Sequence, residues 1–507
     1  MNLAEHVLHA GASHPDKLAL SVIGTSRAER WSYARLISAV RGTATGLLRA
    51  GLQPGDRLLM RLGNTAAFPV AYLGAIAAGI VPIPTSAMLT RREITKLAAE
   101  TGPAMIVAGE GIALPDHPAP ILPEAGLADY MNLPPADYAQ GQPGRLAYII
   151  YTSGSSGQPR AVMHAHRAIL ARRMMFDGWY GLRESDRVMH AGAFNWTFTL
   201  GTGLMDPWTM GATALIPADG IALEQLPLLA SRHGATMLAG APGVFRRILR
   251  AEWQPIANLR HGLVAGERLD PGLRADWTAR TGTDLHEAMG ASEISTFISG
   301  SPERPAPAGT AGYPQPGRHV AILGDDGQPQ PAGTPGALAV RRDDPGLFLG
   351  YLGQPEETAA RHRGDWFLTG DQAQEDESGA ITLLGRADDI MNAGASASPR
   401  PRSKRFCPAF PVRAMSRWQS FRSAPAAASS PPSGPVPPMQ PICADSRNPI
   451  SHAISSPANI SGSMPCPARP PARSTAAHCA PPIARTRHDP PRHLLGPGLP
   501  LVPDRQA

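Results

Sequence analysis

The chain has 507 residues, 43% of them hydrophobic and 17% charged, which suits a large folded protein of more than one domain. No run of about eighteen apolar residues occurs, which excludes a membrane-spanning helix, and the start MNLAEHVLHAGASHPDK lacks the basic-then-apolar pattern of a secretory leader, so a cytosolic protein is expected. The net charge of +6 hints at nucleic acid, but residues 1–394 hold 33 Lys+Arg against 38 Asp+Glu, whereas residues 395–507 hold 14 against 3. That last stretch also carries all four cysteines and 24 of the 54 prolines. The body is therefore acidic and cysteine-free, and no aromatic–basic module supports a nucleic-acid partner.

Along the chain, helix and strand signals alternate. Residues 32–50 have the period of an amphipathic helix closed by Gly51, and 57–62 form a strand entered through the turn at Pro54-Gly55-Asp56. A helix over 65–78 and a short apolar strand over 80–84 follow. Further strands are expected at 105–107, 146–151, 188–190, 213–216 and 263–265. The alternation predicts an α/β fold with largely buried sheets. Residues 333–384 change to Gly-rich turns and short strands, as in a β-rich subdomain. After Gly394 neither period persists, and proline is too frequent for helix or ladder, so composition predicts disorder there. The four scattered cysteines do not have the spacing of a zinc site.

Four segments carry chemistry. The run YTSGSSGQPR (Tyr151–Arg160) follows an apolar strand directly. Gly154 and Gly157 let backbone amides turn toward a phosphate, and Thr152, Ser153, Ser155 and Ser156 add hydroxyl donors, although a flexible Ser/Gly connector has the same composition. In HEAMGASE (His286–Glu293), Gly290 permits close packing on a flat base, and Ser292 with Glu293 can serve phosphate and Mg²⁺. The same Ser-Glu pair is also ordinary helix-start chemistry. In WFLTGD (Trp366–Asp371), Asp371 can accept two ribose hydroxyls. In LGRADD (Leu384–Asp389), Arg386 can bridge ribose and phosphate. Taken singly, these last two also fit a turn aspartate and a surface ion pair.

Together, in this order and spacing, the four segments resemble the AMP-forming acyl-CoA synthetases of the adenylate-forming superfamily, over roughly residues 5–395. The stretches at Asn195-Trp196, 204–212 and 265–269 look most like medium-chain and aromatic acyl-CoA synthetases. The resemblance implies a large adenylation domain over 1–385, a hinge over 386–394 and a small C-terminal domain beyond it. It implies ATP, Mg²⁺ and coenzyme A as cofactor and co-substrates, and a small carboxylic acid as substrate, with an acyl-adenylate as intermediate. By the same resemblance Thr152–Gly157 and Arg160 hold phosphates, with Ser292 beside them, and Thr152 and Glu293 hold Mg²⁺. Glu287, Ala288, Met289 and Gly290 line the adenine. Asp371 and Arg386 hold the ribose, and Asp388 is the hinge. Trp196, Gly240, Ala241, Pro242, Ala265 and Gly266 shape the acyl pocket, although plain core packing also accounts for Trp196. Two alternatives stay open: a defective ATP- or acyl-binding remnant, and an adenylating enzyme that delivers to a carrier protein. The individual acid and the oligomeric state are not legible.

Three features depart from the family pattern. Arg160-Ala161 replaces the usual Lys-Gly, and an Arg fork is not a Lys point charge. Met289 stands where an aromatic usually covers the base, which a thioether can also do. The third is larger. The family's C-terminal domain carries a lysine that reaches the α-phosphate, yet the last lysine here is Lys404, in an unrelated context. The domain's expected opening is also missing after Gly394. If the coding frame is shifted by taking the last base of each codon with the first two of the next, the residues from Ala395 to Cys407 back-translate compatibly to FRVSPPEVEAVL, which is that opening. Residues from about 395 are therefore expected to be a frame-shifted reading. A GC-rich gene, as 44 Arg against 3 Lys suggests, gives Pro, Ala, Arg and Ser out of frame.

Overall fold

The computed structural model describes residues 1–152, 159–253 and 255–387. The Ser/Gly residues Ser153–Gly157, the expected hinge residue Asp388 and everything after it lie outside the described residues.

Among the described residues the largest sheet has nine strands. Its centre is parallel, in the spatial order Leu285–Ala291, His261–Ala265, Met237–Gly240, Arg187–His190, Thr213–Pro217 and Leu18–Ile23. Antiparallel strands Ala28–Ser32 at one side and Ser295–Ser299 with Tyr313–Pro314 at the other complete it. The inner parallel strands include short apolar runs such as TALIP and HGLVA, buried along their whole length, as strands covered on both faces must be. Strand 187–190 lies between 213–217 and 237–240, so the parallel order reverses direction there.

A second sheet of four parallel strands holds Val81–Pro84, Arg57–Arg61, Met105–Ala108 and Ile121–Pro123. Packed on this sheet and on neighbouring helices runs the helix Ala67–Ala77, whose eleven residues are all buried. It has no polar face because it has no solvent side. The helix expected over 32–50 is Tyr33–Arg49, with the Ser32 hydroxyl accepting from the Arg35 backbone N–H and Gly51 at φ +96° past its end.

A hairpin of Leu146–Thr152 and Arg160–Ala165, joined by Gly350–Tyr351, makes a three-stranded sheet. The β-rich region is an antiparallel sheet of Val320–Leu323, Gly336–Arg341, Trp366–Glu375, His362–Arg363 and Ile381–Arg386. The α/β fold with a β-rich subdomain is thus the one the pattern predicts. No helix among the described residues is long and apolar enough to cross a membrane.

Candidate active site

Parallel strands place their C-terminal ends along one edge, where the loops that follow them gather. Four of the expected segments lie on that edge of the nine-stranded sheet: the residues after His190, Gly240-Ala241-Pro242, Ala265-Gly266 and Ala288–Glu293. Ala241 and Pro242 begin the helix Pro242–Arg250, with Pro242 at its first position. Gly266 has φ +93°, and a Cβ there would lie 2.9 Å from Cζ2 of Trp196. The indole therefore packs on bare backbone, and two of the expected pocket positions meet. Trp196 also stands edge-on to Phe198, with ring centroids 5.2 Å apart, against a core that contains Ala239, Ala265 and Ala288. Phe198 opens into a π-helical segment, Thr199–Met205, a geometry concentrated at functional sites.

His286–Glu293 is not a helix start. Leu285–Ala291 is a strand that turns back into Ser295–Ser299. Gly290 is required there, since a Cβ would fall 2.8 Å from the Ser295 carbonyl oxygen. Ser295, at φ +72°, is the one non-glycine residue of positive φ among the described residues. The turn is held from three sides. His164 donates through Nε2 to the Ser292 carbonyl at 2.8 Å, and Phe348 N–H donates to the Glu293 carbonyl at 2.8 Å. Arg172 Nη1 donates to Ser295 Oγ at 2.7 Å. Arg172 is itself buried and paired through Nε and Nη2 with Asp206, at 2.7 and 2.6 Å, and Tyr180 Oη adds a bond to the same carboxylate. One guanidinium thus ties the Glu293 turn to the residue that follows the π-helical segment.

Within this turn Glu293 accepts a hydrogen bond from Tyr351 Oη at 2.7 Å on Oε1, and burial together with that carboxylate pushes the Tyr351 phenol well up. Arg160 lies over the Tyr351 ring, 5.1 Å from its centroid, and its Nη2 pairs with Glu357 at 2.7 Å. Thr152 is opposite Arg160 in the hairpin register. The hairpin register thus sets Thr152 opposite Arg160, and Tyr351, which the sequence reading left out, joins Arg160 to Glu293. Glu287 is partly buried, accepts from the Leu269 N–H at 2.9 Å, and its carboxyl is raised by burial. Met289 is half-buried against the core.

Asp371 and Arg386 face one another across adjacent strands, Asp371 Oδ1 to Arg386 Nη1 at 3.1 Å. Arg386 Nη1 also donates to the Thr369 carbonyl at 3.3 Å. Between them Gly370 has φ +84°, and a Cβ there would approach Arg386 Nη2 at 2.9 Å and Arg361 Nη1 at 3.2 Å. The Asp371 motif is therefore the middle of a strand rather than a turn, and the ion pair is present.

The likenesses to known proteins agree with this geometry. The chain is 27% identical to the 3-hydroxybenzoate–CoA ligase of Aromatoleum sp. (strain CIB), over 79% of this chain and 80% of that protein. It is 28% identical to the human mitochondrial acyl-coenzyme A synthetase ACSM2A, over 76% of this chain and 71% of that one. In fold it is similar to a benzoate CoA ligase from Burkholderia xenovorans LB400, with a TM-score of 0.69 at 24% identity, over 76% of this chain and 80% of that one. Residues 7–352, which include the Ser/Gly run, the Glu293 turn and Tyr351, match the family described as AMP-binding enzyme, and the chain belongs to that family.

Proposed function

We propose that the chain is an AMP-forming acyl-CoA synthetase, joining a carboxylic acid to coenzyme A through an acyl-adenylate. The observation that carries this reading is the contact of Tyr351 with both Arg160 and Glu293, which sets a cation and a carboxylate beside the Ser/Gly hairpin. Charge builds on the α-phosphate and on the leaving pyrophosphate during adenylation, so hydroxyls, amides and a cation aimed there lower the barrier. In this reading Thr152–Gly157 and Arg160 hold the phosphates, with Ser292 beside them. Glu287–Gly290 line the adenine, Asp371 and Arg386 hold the ribose, and Trp196, Gly240–Pro242 and Ala265-Gly266 shape the acyl pocket. Asp388 is the hinge.

Glu293 and Thr152 are the residues that would hold Mg²⁺. Mg²⁺ is commonly held by one or two carboxylates plus substrate phosphates, and Glu293 has one oxygen on Tyr351 with the other unengaged among the described residues. When bound there, the ion neutralises phosphate charge. Among the described residues no group of three metal-ligating side chains competes with this site.

Residues 1–385 are the adenylation domain in this reading. From about 395 the chain is a frame-shifted reading of the small C-terminal domain, whose lysine is then lost. Losing one charged donor to the transition state costs about 10²–10³ in rate, so this polypeptide forms the adenylate slowly. Acid, ATP and Mg²⁺ are incubated with the chain, and the acyl-adenylate is sought by mass spectrometry at enzyme stoichiometry. Its appearance with aromatic or medium-chain acids supports the reading. Its absence with every acid leaves a nucleotide-binding remnant and overturns the reading.

A further inference from the structure

A cleft of about 500 Å³ opens at one margin of the nine-stranded sheet, between the hairpin over 18–32 and the helix Leu226–Arg232. Five strands separate the edge strand Ala28–Ser32 from Leu285–Ala291, which places the cleft away from the candidate active site. Strand alternation decides which side chains line it. Ala28 packs against the core cluster that holds Leu226 and Leu229, so Arg30, two residues on, faces the same way and lines the cleft. Glu29, between them, faces the other side, where it accepts from Trp31 Nε1 at 2.8 Å and pairs with Arg35 at 3.7 Å. The carboxylate of this strand is therefore kept out of the cleft.

The facing helix supplies Leu229 as an apolar floor, with Arg232 in its last turn and His233 at its end. Arg27, with the hydroxyl residues Thr25 and Ser26, comes from the hairpin turn. The guanidiniums of Arg27, Arg30 and Arg232 make no hydrogen bond or ion pair among the described residues. Behind them Arg187 donates through Nε to the His233 carbonyl at 2.8 Å. Burial, then Arg30, Arg187 and Arg232, hold the His233 imidazole below its ordinary pKa, and no carboxylate offsets them. A single surface arginine is a solvated charge, and Arg232 alone would suit the negative end of its helix. Three guanidiniums acting on one half-buried imidazole, with a fourth on the facing turn, are a different case. Like charges so gathered repel, although residues 1–394 carry more acid than base.

We propose that this cleft binds the diphosphate group of a small molecule, held by Arg27 and Arg30 from the hairpin and by Arg232 from the helix. A guanidinium fork meets phosphate oxygens two at a time. Two phosphoryl groups carry about three negative charges, which matches the three guanidiniums left unpaired. The diphosphate is either free pyrophosphate or part of a nucleotide, whose organic part would cover Leu229 and Ala28. The site stands apart from the adenylate-forming reading and does not depend on it.

The test is calorimetry on the full chain without Mg²⁺ and in low salt, where exposed charges are least screened. Pyrophosphate, ADP and sulfate are titrated in turn. Arg30→Gln and Arg232→Gln should each weaken pyrophosphate about tenfold, as loss of one charge-assisted contact implies. Both residues are exposed, so thermal midpoints should match the unaltered chain. Arg246→Gln, an exposed arginine on the helix Pro242–Arg250, is the control and should leave binding unchanged. A diphosphate bound at the candidate active site would not respond to these substitutions, so the part lost reports on the cleft. ADP tighter than pyrophosphate supports the proposal with a nucleotide as ligand, and equal affinities support it with free diphosphate. Sulfate binding as tightly as pyrophosphate would mean non-specific anion attraction and would overturn the proposal. So would pyrophosphate binding that is absent, that survives in both cleft variants, or that falls as far in Arg246→Gln.

Discussion

Tyr351 donates to Glu293 at 2.7 Å across 58 residues of sequence, and the ring that makes this bond also lies under the Arg160 guanidinium. A phenol is a weak acid here, since burial and the adjacent carboxylate raise it further, so it acts as a fixed donor. Its effect is to aim one carboxylate oxygen and leave the other open. Tyr351→Phe keeps the ring under Arg160 and removes only that donor. Adenylation should fall by about tenfold, the worth of a hydrogen bond to a charged group, and the Mg²⁺ concentration for half-maximal rate should rise. Glu293→Gln should cost about 10²–10³. Pyrophosphate exchange against Mg²⁺ measures both, and an unchanged Mg²⁺ dependence in Tyr351→Phe contradicts the role given to Tyr351.

Asp206 is fully buried, and Arg172 and Tyr180 both bind its carboxylate. Asp206→Ala leaves the Arg172 guanidinium charged and unpaired in the core. Breaking a buried pair in this way costs about 3–5 kcal/mol. Urea unfolding should show a loss of that order, with slower adenylation, because Arg172 also holds Ser295 in the Glu293 turn. A loss below about 1 kcal/mol, the level of a surface pair, would show that the cluster relaxes freely.

Five buried histidines set the acid limit of stability. Burial lowers His164, His166 and His286 to about 4 and His190 and His261 to about 3. In the unfolded chain each takes up a proton near the ordinary value of about 6.5. Between these values the unfolded state binds more protons than the native one, so stability is complete above about pH 6.5 and is lost as pH falls toward 4. Each such group contributes up to about 1.4 kcal/mol per pH unit. Against a total of about 5–15 kcal/mol, unfolding should occur near pH 5. Urea midpoints that stay level from pH 7 to pH 5 would contradict the burial of these rings.

Gly370 separates Asp371 from Thr369 at φ +84°, with two guanidiniums against its missing Cβ. Gly370→Ala strains the backbone and displaces Arg386. ATP affinity should fall by about tenfold, as loss of one charge-assisted contact implies, with little change in the affinity for the acid. Equal losses for both ligands would point to general unfolding of the β-rich sheet.

How far these features were legible depends on sequence distance. The helix Tyr33–Arg49 is legible from its own period and from the Gly51 that closes it, and the strands from short apolar runs. The motifs at Glu293, Asp371 and Arg386 were visible because each is contiguous. What joins them was not visible. Tyr351 sits in a two-residue strand, Gly350–Tyr351, too short to carry a pattern, and its partner is far away in the chain. Arg172 reads as one of two adjacent arginines on a short helix, and only the fold sets it against Asp206 and Ser295. The π-helical segment Thr199–Met205 has neither the helical nor the strand period, so the sequence carries no signal for it.

The most direct measurement compares two proteins: the chain as written, and the product of the same gene with the frame restored across the codons for Asn392–Ser398. Each is mixed with ATP, Mg²⁺ and a panel of aromatic and medium-chain acids, and acyl-adenylate is followed by rapid quench and mass spectrometry. The account predicts the same adenylate from both, formed about 10²–10³ faster by the restored protein because the lysine returns to the α-phosphate. Adenylate from neither protein would contradict the proposed function, and equal rates would contradict the assignment of residues 395–507 to a shifted frame.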